Sequence, residues 1–280
     1  MYREEAAPGI PGAVRWASVS RGDGPVRVLP DGCLDLLWSS RSGLLVAGPD
    51  RHAHLSVSVP GERWVGLRLP PGTGPAVFGV AADELRDQRV PLDDLWGPAA
   101  AELADRIAAA EASPAGAGRA RYGHAGRQST GSPTASAGPP GASAGGSPSP
   151  PALVGWPESS ITGVLEEVAL GRLRAAGGPD PIGARVAARL AAGATVAATA
   201  AEVGLGARAL HRRSQLLFGY GPKTLARILR MRRALDLADA GTPLAEVAVL
   251  AGYADQAHLT REVKELAGVP PTHLLPPAGA

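Results

Sequence analysis

The sequence predicts an α+β protein with two domains, a β-rich N-terminal domain and an all-α C-terminal domain. Three observations support this prediction. Short apolar runs separated by turn residues fill the first part, capped amphipathic helices fill the last part, and almost no large apolar residue lies between them. A chain of 280 residues is long enough to bury two separate cores.

The N-terminal domain, residues 1–112, is predicted to be sandwich-like or barrel-like, with a cupin-like barrel among the alternatives. Turn signals such as Pro30-Asp31-Gly32 and Pro60-Gly61 separate its apolar runs. Several short strands separated by turn signals at regular intervals are typical of small antiparallel sandwiches and barrels. The predicted strands cover 26–30, 34–38, 44–47, 54–59 and 64–69, and helices are expected at 81–86 and 97–112.

Residues 113–157 are dominated by Ala, Gly, Ser and Pro. Such a segment cannot bury enough apolar surface to offset the entropy of ordering, so it is predicted to be a disordered linker. The C-terminal domain then spans 158–280, with its core in 180–275.

Helical periodicity continues through the whole C-terminal domain. Asp180-Pro181 and Thr242-Pro243 each place a capping residue before a proline, which is typical of a helix start. Glycines follow the ends of several of these helices. The predicted helices cover 161–174, 181–192, 195–203, 207–218, 222–240, 243–250 and 255–267.

Cysteine and hydropathy patterns exclude several protein classes. Cys33 is the only cysteine, which rules out an intrachain disulfide or a multi-cysteine zinc site. The N-terminus has no signal-peptide pattern and no 18-residue apolar run occurs, so a cytoplasmic protein with no membrane partner is expected.

An internal repeat marks the C-terminal domain. The motif Leu-x-Arg followed by Gly-x-x-Pro occurs at Leu210 to Pro222 and again at Leu259 to Pro271. In each copy an alanine lies four residues before the first glycine, at Ala200 before Gly204 and at Ala248 before Gly252, where a small side chain lets two helices cross closely. Each copy therefore predicts a helix, a tight turn and a second helix, which is the helix-turn-helix unit. The turn glycines are Gly204, Gly219, Gly252 and Gly268.

The repeat overlaps a strongly basic stretch. Residues 207–233 contain eight Lys and Arg and no Asp or Glu. A merely solvated helix face usually carries acids at i,i+4, so this pattern favours a polyanionic partner such as nucleic acid.

The stretches GYGPKTLARILRMRRAL (219–235) and LAEVAVLAGYADQAHLTREVKELAGVPPTHL (244–274) resemble the AraC/XylS family of transcription regulators. The resemblance covers about 95 residues. It implies two helix-turn-helix units joined by one long helix, bound to operator DNA as a double-stranded partner. The base-reading positions it implies are Arg208, His211, Arg212, Gln256, Thr260 and Arg261. The expected phosphate contacts are Arg213, Lys223, Arg227 and Arg230.

Two positions of the first unit depart from that family's pattern. Gly206 stands where the family usually has a capping serine, although glycine caps almost as well. Ser214 stands where the family usually has Phe, and Val263 fills the matching place in the second unit.

The segments at 27–38 and 64–96 resemble a poorly characterised domain found upstream of AraC-type domains in actinobacteria. That resemblance implies a regulatory module without identifying a ligand. A small-molecule effector bound by this domain and a homodimer both stay open.

An enzyme tethered to DNA, either an alkyl-acceptor repair protein or a cupin-like catalyst, is the alternative from another class. His52 and His54 share a strand face, but no Glu follows at the spacing of a cupin metal motif. Cys33 lacks the cysteine cluster of alkyl-repair proteins and is interpreted as a small buried thiol. We therefore expect no enzyme activity, no metal and no cofactor.

Overall fold

A computed structural model describes residues 2–22, 24–112 and 159–275. The predicted α+β class with two parts is confirmed, and each part has its own hydrophobic core. The predicted linker at 113–157 lies outside the described residues.

The N-terminal part is built on a six-stranded antiparallel sheet in the order β1-β2-β7-β4-β5-β8, and the sheet does not close into a barrel. A separate two-stranded ribbon pairs β3 with β6. The strands are β1 (Tyr2–Ala6), β2 (Val14–Val19), β3 (Val26–Val28), β4 (Leu34–Ser39), β5 (Gly43–Ala47), β6 (His54–Ser56), β7 (Arg63–Leu69) and β8 (Arg89–Pro91).

The two faces of this sheet differ because side chains alternate along each strand. Leu36 and Trp38 of β4 and Val65 and Leu67 of β7 are buried on one face, against helices. The covering helices are α1 (Gly74–Phe78), α2 (Leu92–Trp96), α3 (Pro98–Ala112) and α4 (Ser159–Ala175). The other face carries polar and aromatic side chains and lies beneath the ribbon.

Helix α4 corrects the predicted domain boundary at residue 158. Its residues Ile161, Leu165, Ala169 and Leu173, four apart, are buried in the core of the N-terminal sheet. Periodicity correctly predicted a buried helix face but contains no information about which core receives it. By its packing, α4 belongs to the N-terminal part.

Strands β1 and β2 were not predicted, and the helix predicted at 81–86 is wrong. Residues 81–86 form turns instead of a helix. In this segment the amide of Ala82 donates to the Leu216 carbonyl, outside the segment, so local helical bonding does not satisfy it.

The C-terminal part consists of helices that match the predicted ones within a few residues. They are α5 (Pro181–Ala191), α6 (Val196–Glu202), α7 (Ala207–Phe218), α8 (Pro222–Asp239), α9 (Leu244–Ala251) and α10 (Gln256–Ala267), followed by a 3-10 turn at Pro271–His273. Asp180 caps α5 by accepting from the Gly183 amide. None of the described helices is long and apolar enough to cross a membrane.

Candidate nucleic-acid interface and ligand pocket

Helices α7 and α10 are the second helices of the two repeated units. On α7, Leu210, Ser214 and Phe218 are buried at a spacing of four residues. On α10, Leu259, Val263 and Leu266 are buried in the same way. Each helix therefore presents its opposite face to solvent, and these two faces form the candidate nucleic-acid interface.

Most of the predicted base-reading residues lie on these exposed faces. Arg208, His211 and Arg212 are exposed on α7, and Gln256 and Arg261 are exposed on α10. They lie in the N-terminal halves of the two helices.

Two of these residues also have local partners. Thr260 is half-buried, and its hydroxyl donates to the Gln256 carbonyl at 2.8 Å. The ring of His211 lies beside Gly221, where an added Cβ would come within 2.8 Å of Nε2. His211 therefore packs close to the start of α8.

The predicted turn glycines have backbone conformations that favour glycine. Their φ angles are positive: 69° at Gly204, 80° at Gly219, 82° at Gly252 and 76° at Gly268. Gly219 and Gly268 end α7 and α10 in the left-handed conformation.

The predicted phosphate-contacting residues have more partners than the sequence indicates. Arg227 donates to Glu262 at 2.9 Å and to Glu265 at 2.6 Å. Arg230 binds both oxygens of Glu262, at 2.8 and 2.7 Å, and lies 4.5 Å from the Tyr253 ring centroid. A phosphate would have to compete with these contacts.

Glu262 connects α10 to the long helix α8. Burial raises the pKa of its carboxyl group, but hydrogen bonds from Arg230 and Arg227 outweigh burial and hold the pKa below its ordinary value. The sequence could not indicate this pairing, because Glu262 lies 32 residues from Arg230.

The remaining cations of the basic stretch differ in accessibility. Arg213 forms an ion pair with Asp180, the residue that caps α5. Arg233 donates to the last carbonyls of two helices, at Ala251 and Ala191. Lys223 is exposed beside a groove of about 430 Å³ between the two units.

A second candidate site is a pocket of about 480 Å³ between the six-stranded sheet and the β3-β6 ribbon. Its walls are largely apolar and include the aromatic rings of Tyr2, Trp16 and Trp64. Gly66 makes room for the Trp16 indole, since an added Cβ would lie 2.3 Å from that ring. Trp16 thus lies across the sheet at Gly66 and forms part of the pocket floor.

Charged groups form one end of the pocket. Asp35 accepts from Trp16 Nε1 at 2.9 Å, and Arg68 lies 3.5 Å from Asp35. Burial raises the pKa of the Asp35 carboxyl group. Burial by itself would lower the pKa of Arg68, but the negative charges of Asp35 and Asp31 have the larger effect and raise the Arg68 pKa. The Nε of Arg68 is buried without a hydrogen-bond partner among the described residues.

Cys33 lies next to this charged end. Burial, together with Asp31 and Asp35, raises the pKa of its thiol well above the ordinary value. The thiol is therefore protonated at neutral pH, which disfavours nucleophilic chemistry. Within the described ranges, no group of three or more His, Cys, Asp or Glu side chains is arranged to hold a metal ion.

Comparison with known families agrees with the two-part architecture. Residues 199–275 match the family model described as "Helix-turn-helix domain", and residues 13–91 match "Domain of unknown function (DUF6597)". A search of curated proteins finds no significant match.

Several solved structures resemble the chain weakly. A probable AraC family transcriptional regulator from Rhodopseudomonas palustris CGA009 is 23% identical, with 34% of this chain and 95% of that chain covered and a TM-score of 0.31. ToxT from Vibrio cholerae O395 is 7% identical, with 93% and 96% covered and a TM-score of 0.45. Unsaturated fatty acid bound wild-type ToxT from Vibrio cholerae strain SCE256 is 9% identical, with 98% and 94% covered and a TM-score of 0.45.

Likenesses at this level carry no argument about function, so the assignment depends on the repeat, the exposed second helices and the two family models. Together they show a helix-turn-helix domain over residues 199–275 and a DUF6597 domain over residues 13–91.

Proposed function

We propose that this chain is a sequence-specific transcription regulator that acts in the cytoplasm and responds to a small-molecule effector. The observation that carries the proposal is the combination, in one chain, of two exposed helices at equivalent places of the repeat and a largely apolar pocket in the other part. The recognition helices α7 and α10 read the operator, and the pocket beneath the β3-β6 ribbon binds the effector.

The pocket favours a particular chemistry of effector. Aromatic walls at Tyr2, Trp16 and Trp64 favour a flat or aliphatic apolar body. The Nε of Arg68 lies 3.4 Å from Asp31 and 3.5 Å from Asp35 but makes no hydrogen bond with the described residues, so this guanidinium offers a donor to an acceptor group. The effector is therefore an amphipathic small molecule with an acceptor at one end.

The monomer is the proposed reading unit, because one chain contains both recognition helices. Successive major-groove segments are about 10 base pairs apart, so a monomer protects two half-sites at that separation. A homodimer, which the sequence leaves open, contains four recognition helices and protects about twice as much DNA as a monomer. Footprinting on a duplex selected from a random library distinguishes the two.

The test of effector response begins with compounds that co-purify with the full chain and are identified by mass spectrometry. Each compound is then added to the protein on its selected operator, with tryptophan emission recorded in parallel. We expect at least one compound to change both the operator affinity and the tryptophan emission of the chain, since two of its five tryptophans, Trp16 and Trp64, line the pocket.

Two variants separate pocket binding from unspecific effects. Ser18 faces the pocket, so Ser18→Trp fills it, whereas Ser18→Ala leaves the space open. The compound should act on Ser18→Ala and not on Ser18→Trp. If it acts equally on both, the pocket is not the effector site.

We also propose that the chain has no enzyme activity, which is supported by the raised pKa of the half-buried Cys33 thiol. Methyl transfer from alkylated DNA to this thiol, detected as a mass increase of the intact chain, would contradict it.

A further inference from the structure

The N-terminal part binds the C-terminal end of the first recognition helix. The Ala82 amide donates to the Leu216 carbonyl at 2.8 Å, and Arg86 Nη1 donates to the Gly219 carbonyl at 2.8 Å. Carbonyls at the end of a helix lack partners within the helix, and the helix dipole favours a cation there. The end of α7 is therefore fixed to the turn segment that follows α1.

The second recognition helix is bound in the same way by different residues. The Ala53 amide donates to the Leu266 carbonyl at 2.7 Å, and Arg27 Nη1 donates to the Ala267 carbonyl at 2.8 Å. The contact is close, since a Cβ added at Gly268 would lie 2.9 Å from Arg27 Nη1. Each recognition helix thus ends on an arginine and a backbone amide of the N-terminal part.

Arg27 and Ala53 belong to the ribbon that covers the pocket. Val26 and Val28 of β3 line the pocket, and Arg27 between them points to the opposite side. Leu29, directly after β3, packs against the helical core of the C-terminal part. The ribbon therefore contacts the pocket on one side and the end of α10 on the other.

The residues that bind α7 lie elsewhere. Ala82 and Arg86 do not line the pocket, and Ala82 is buried in the core on the helix-covered face of the sheet. A displacement of the ribbon consequently moves the anchor of α10 while the anchor of α7 stays in place.

We infer that Arg27 and Arg86 are positioning residues that set the distance between the two recognition helices, and that the β3-β6 ribbon transmits pocket occupancy to α10. The second half of this inference depends on the proposed effector pocket, whereas the first half does not. Occupancy changes the half-site separation that the protein prefers, because the ribbon holds the end of α10 and not the end of α7.

The first experiment measures binding of the full chain to the selected operator and to duplexes with one base pair added or removed between half-sites. Each base pair changes the separation by about 3.4 Å and the rotation by about 35°. We expect the wild-type protein to lose about tenfold in affinity at either change, which equals a single poor base contact.

Arg27→Met keeps an unbranched apolar stem and removes the guanidinium donors. We expect this variant to bind the three separations within about threefold of one another. Arg41→Met, at an exposed arginine of the β4-β5 turn, is the matched control and should keep the wild-type preference. If Arg27→Met retains the tenfold preference, Arg27 does not position α10.

The second experiment fills the pocket without a ligand. Ser56→Trp fills it from the ribbon, and Ser18→Trp fills it from the sheet, so that one variant is available if the other fails to fold. Either substitution should shift the preferred separation in the wild-type background and have no effect in the Arg27→Met background. Equal shifts in both backgrounds would overturn the transmission through the ribbon.

Hydrogen exchange provides a readout that needs neither DNA nor effector. The amides of Ala53 and Ala82 both donate to a recognition helix, but only Ala53 lies on the ribbon side. Filling the pocket should speed exchange at Ala53 by about tenfold or more and leave Ala82 unchanged. If filling the pocket changes the exchange rates of both amides equally, the inference is contradicted, even where an effector has been found. If no effector is found, the exchange result still stands by itself.

Discussion

Ser214 is a buried hydroxyl in the core of the first helix-turn-helix unit, and its replacement tests how well that core is packed. Its exposed fraction is 1%, and its Oγ has no hydrogen-bond partner among the described residues. The matching residue of the second unit, Val263, is 0% exposed. We therefore expect Ser214→Ala and Ser214→Val to stabilise the C-terminal domain.

The magnitude follows from two contributions. An unpaired buried hydroxyl costs roughly 1–3 kcal/mol, part of which Ser214→Ala recovers, so that we expect about 1 kcal/mol. Each added methyl group contributes about 0.8 kcal/mol if it fits, and overpacking costs about 1–3 kcal/mol if it does not. Ser214→Val removes the hydroxyl and adds two methyl groups relative to Ala, so it should gain up to about 2.6 kcal/mol. The difference in stability between the Val and Ala variants measures how much free space surrounds residue 214.

The assay is urea unfolding of the full chain, followed by helical circular dichroism at 222 nm. A stabilised variant shows a higher midpoint with an unchanged slope. The reciprocal substitution Val263→Ser is the matched control and should lower the midpoint, since it buries an unpaired hydroxyl. Unchanged or lower midpoints for both Ser214 variants would refute the reasoning, because the hydroxyl would then have a partner or the site would have no space.

Three further predictions concern other parts of the chain. Arg212→Ala and Arg261→Ala should each weaken operator binding by about 1–3 kcal/mol and relax base preference only in their own half-site, as measured on a library of single-base operator variants. Glu262 stabilises the fold above its ordinary carboxyl pKa of 4.5 and loses this contribution as the pH falls through its lower folded pKa, so Glu262→Gln should flatten the acid side of a melting-temperature profile. Because its pKa is raised, the half-buried Cys33 thiol should react with a thiol reagent more slowly in the native chain than in denaturant, as followed by intact mass.

The helices of the C-terminal part were predictable because local signals define them. Residues 207–218 were predicted from the repeat and its glycines, and α7 covers the same residues. The Asp180-Pro181 start was recognisable because capping by a side chain and a proline at the first helical position are properties of adjacent residues. Such signals do not depend on the rest of the fold.

The edge of the sheet was not predictable in this way. Strand β1 (Tyr2–Ala6) contains Arg3, Glu4 and Glu5, which suppress any apolar alternation. It forms because β2 offers a partner strand along five residues. Which strands pair depends on the tertiary fold, and a short window of sequence does not contain that information.

The ion pairs of the basic stretch were missed for the same reason. Residues 207–233 contain no Asp or Glu, but Glu262 and Glu265 of α10 accept hydrogen bonds from Arg227. The helix packing brings together groups that are 35 and 38 residues apart. The net charge of the stretch therefore overstates the number of cations free to meet DNA.

The position of the anchored ends has a mechanical consequence for DNA reading. Arg208 and Arg212 lie toward the start of α7, and Gln256 and Arg261 lie in the corresponding half of α10, whereas the N-terminal part holds the opposite ends. A helix of 12 residues is about 18 Å long, so a tilt of about 10° around its held end moves the reading end by about 3 Å. That displacement nearly equals the rise of one base pair, about 3.4 Å. A small movement of the ribbon is thus sufficient to change the register of the second recognition helix.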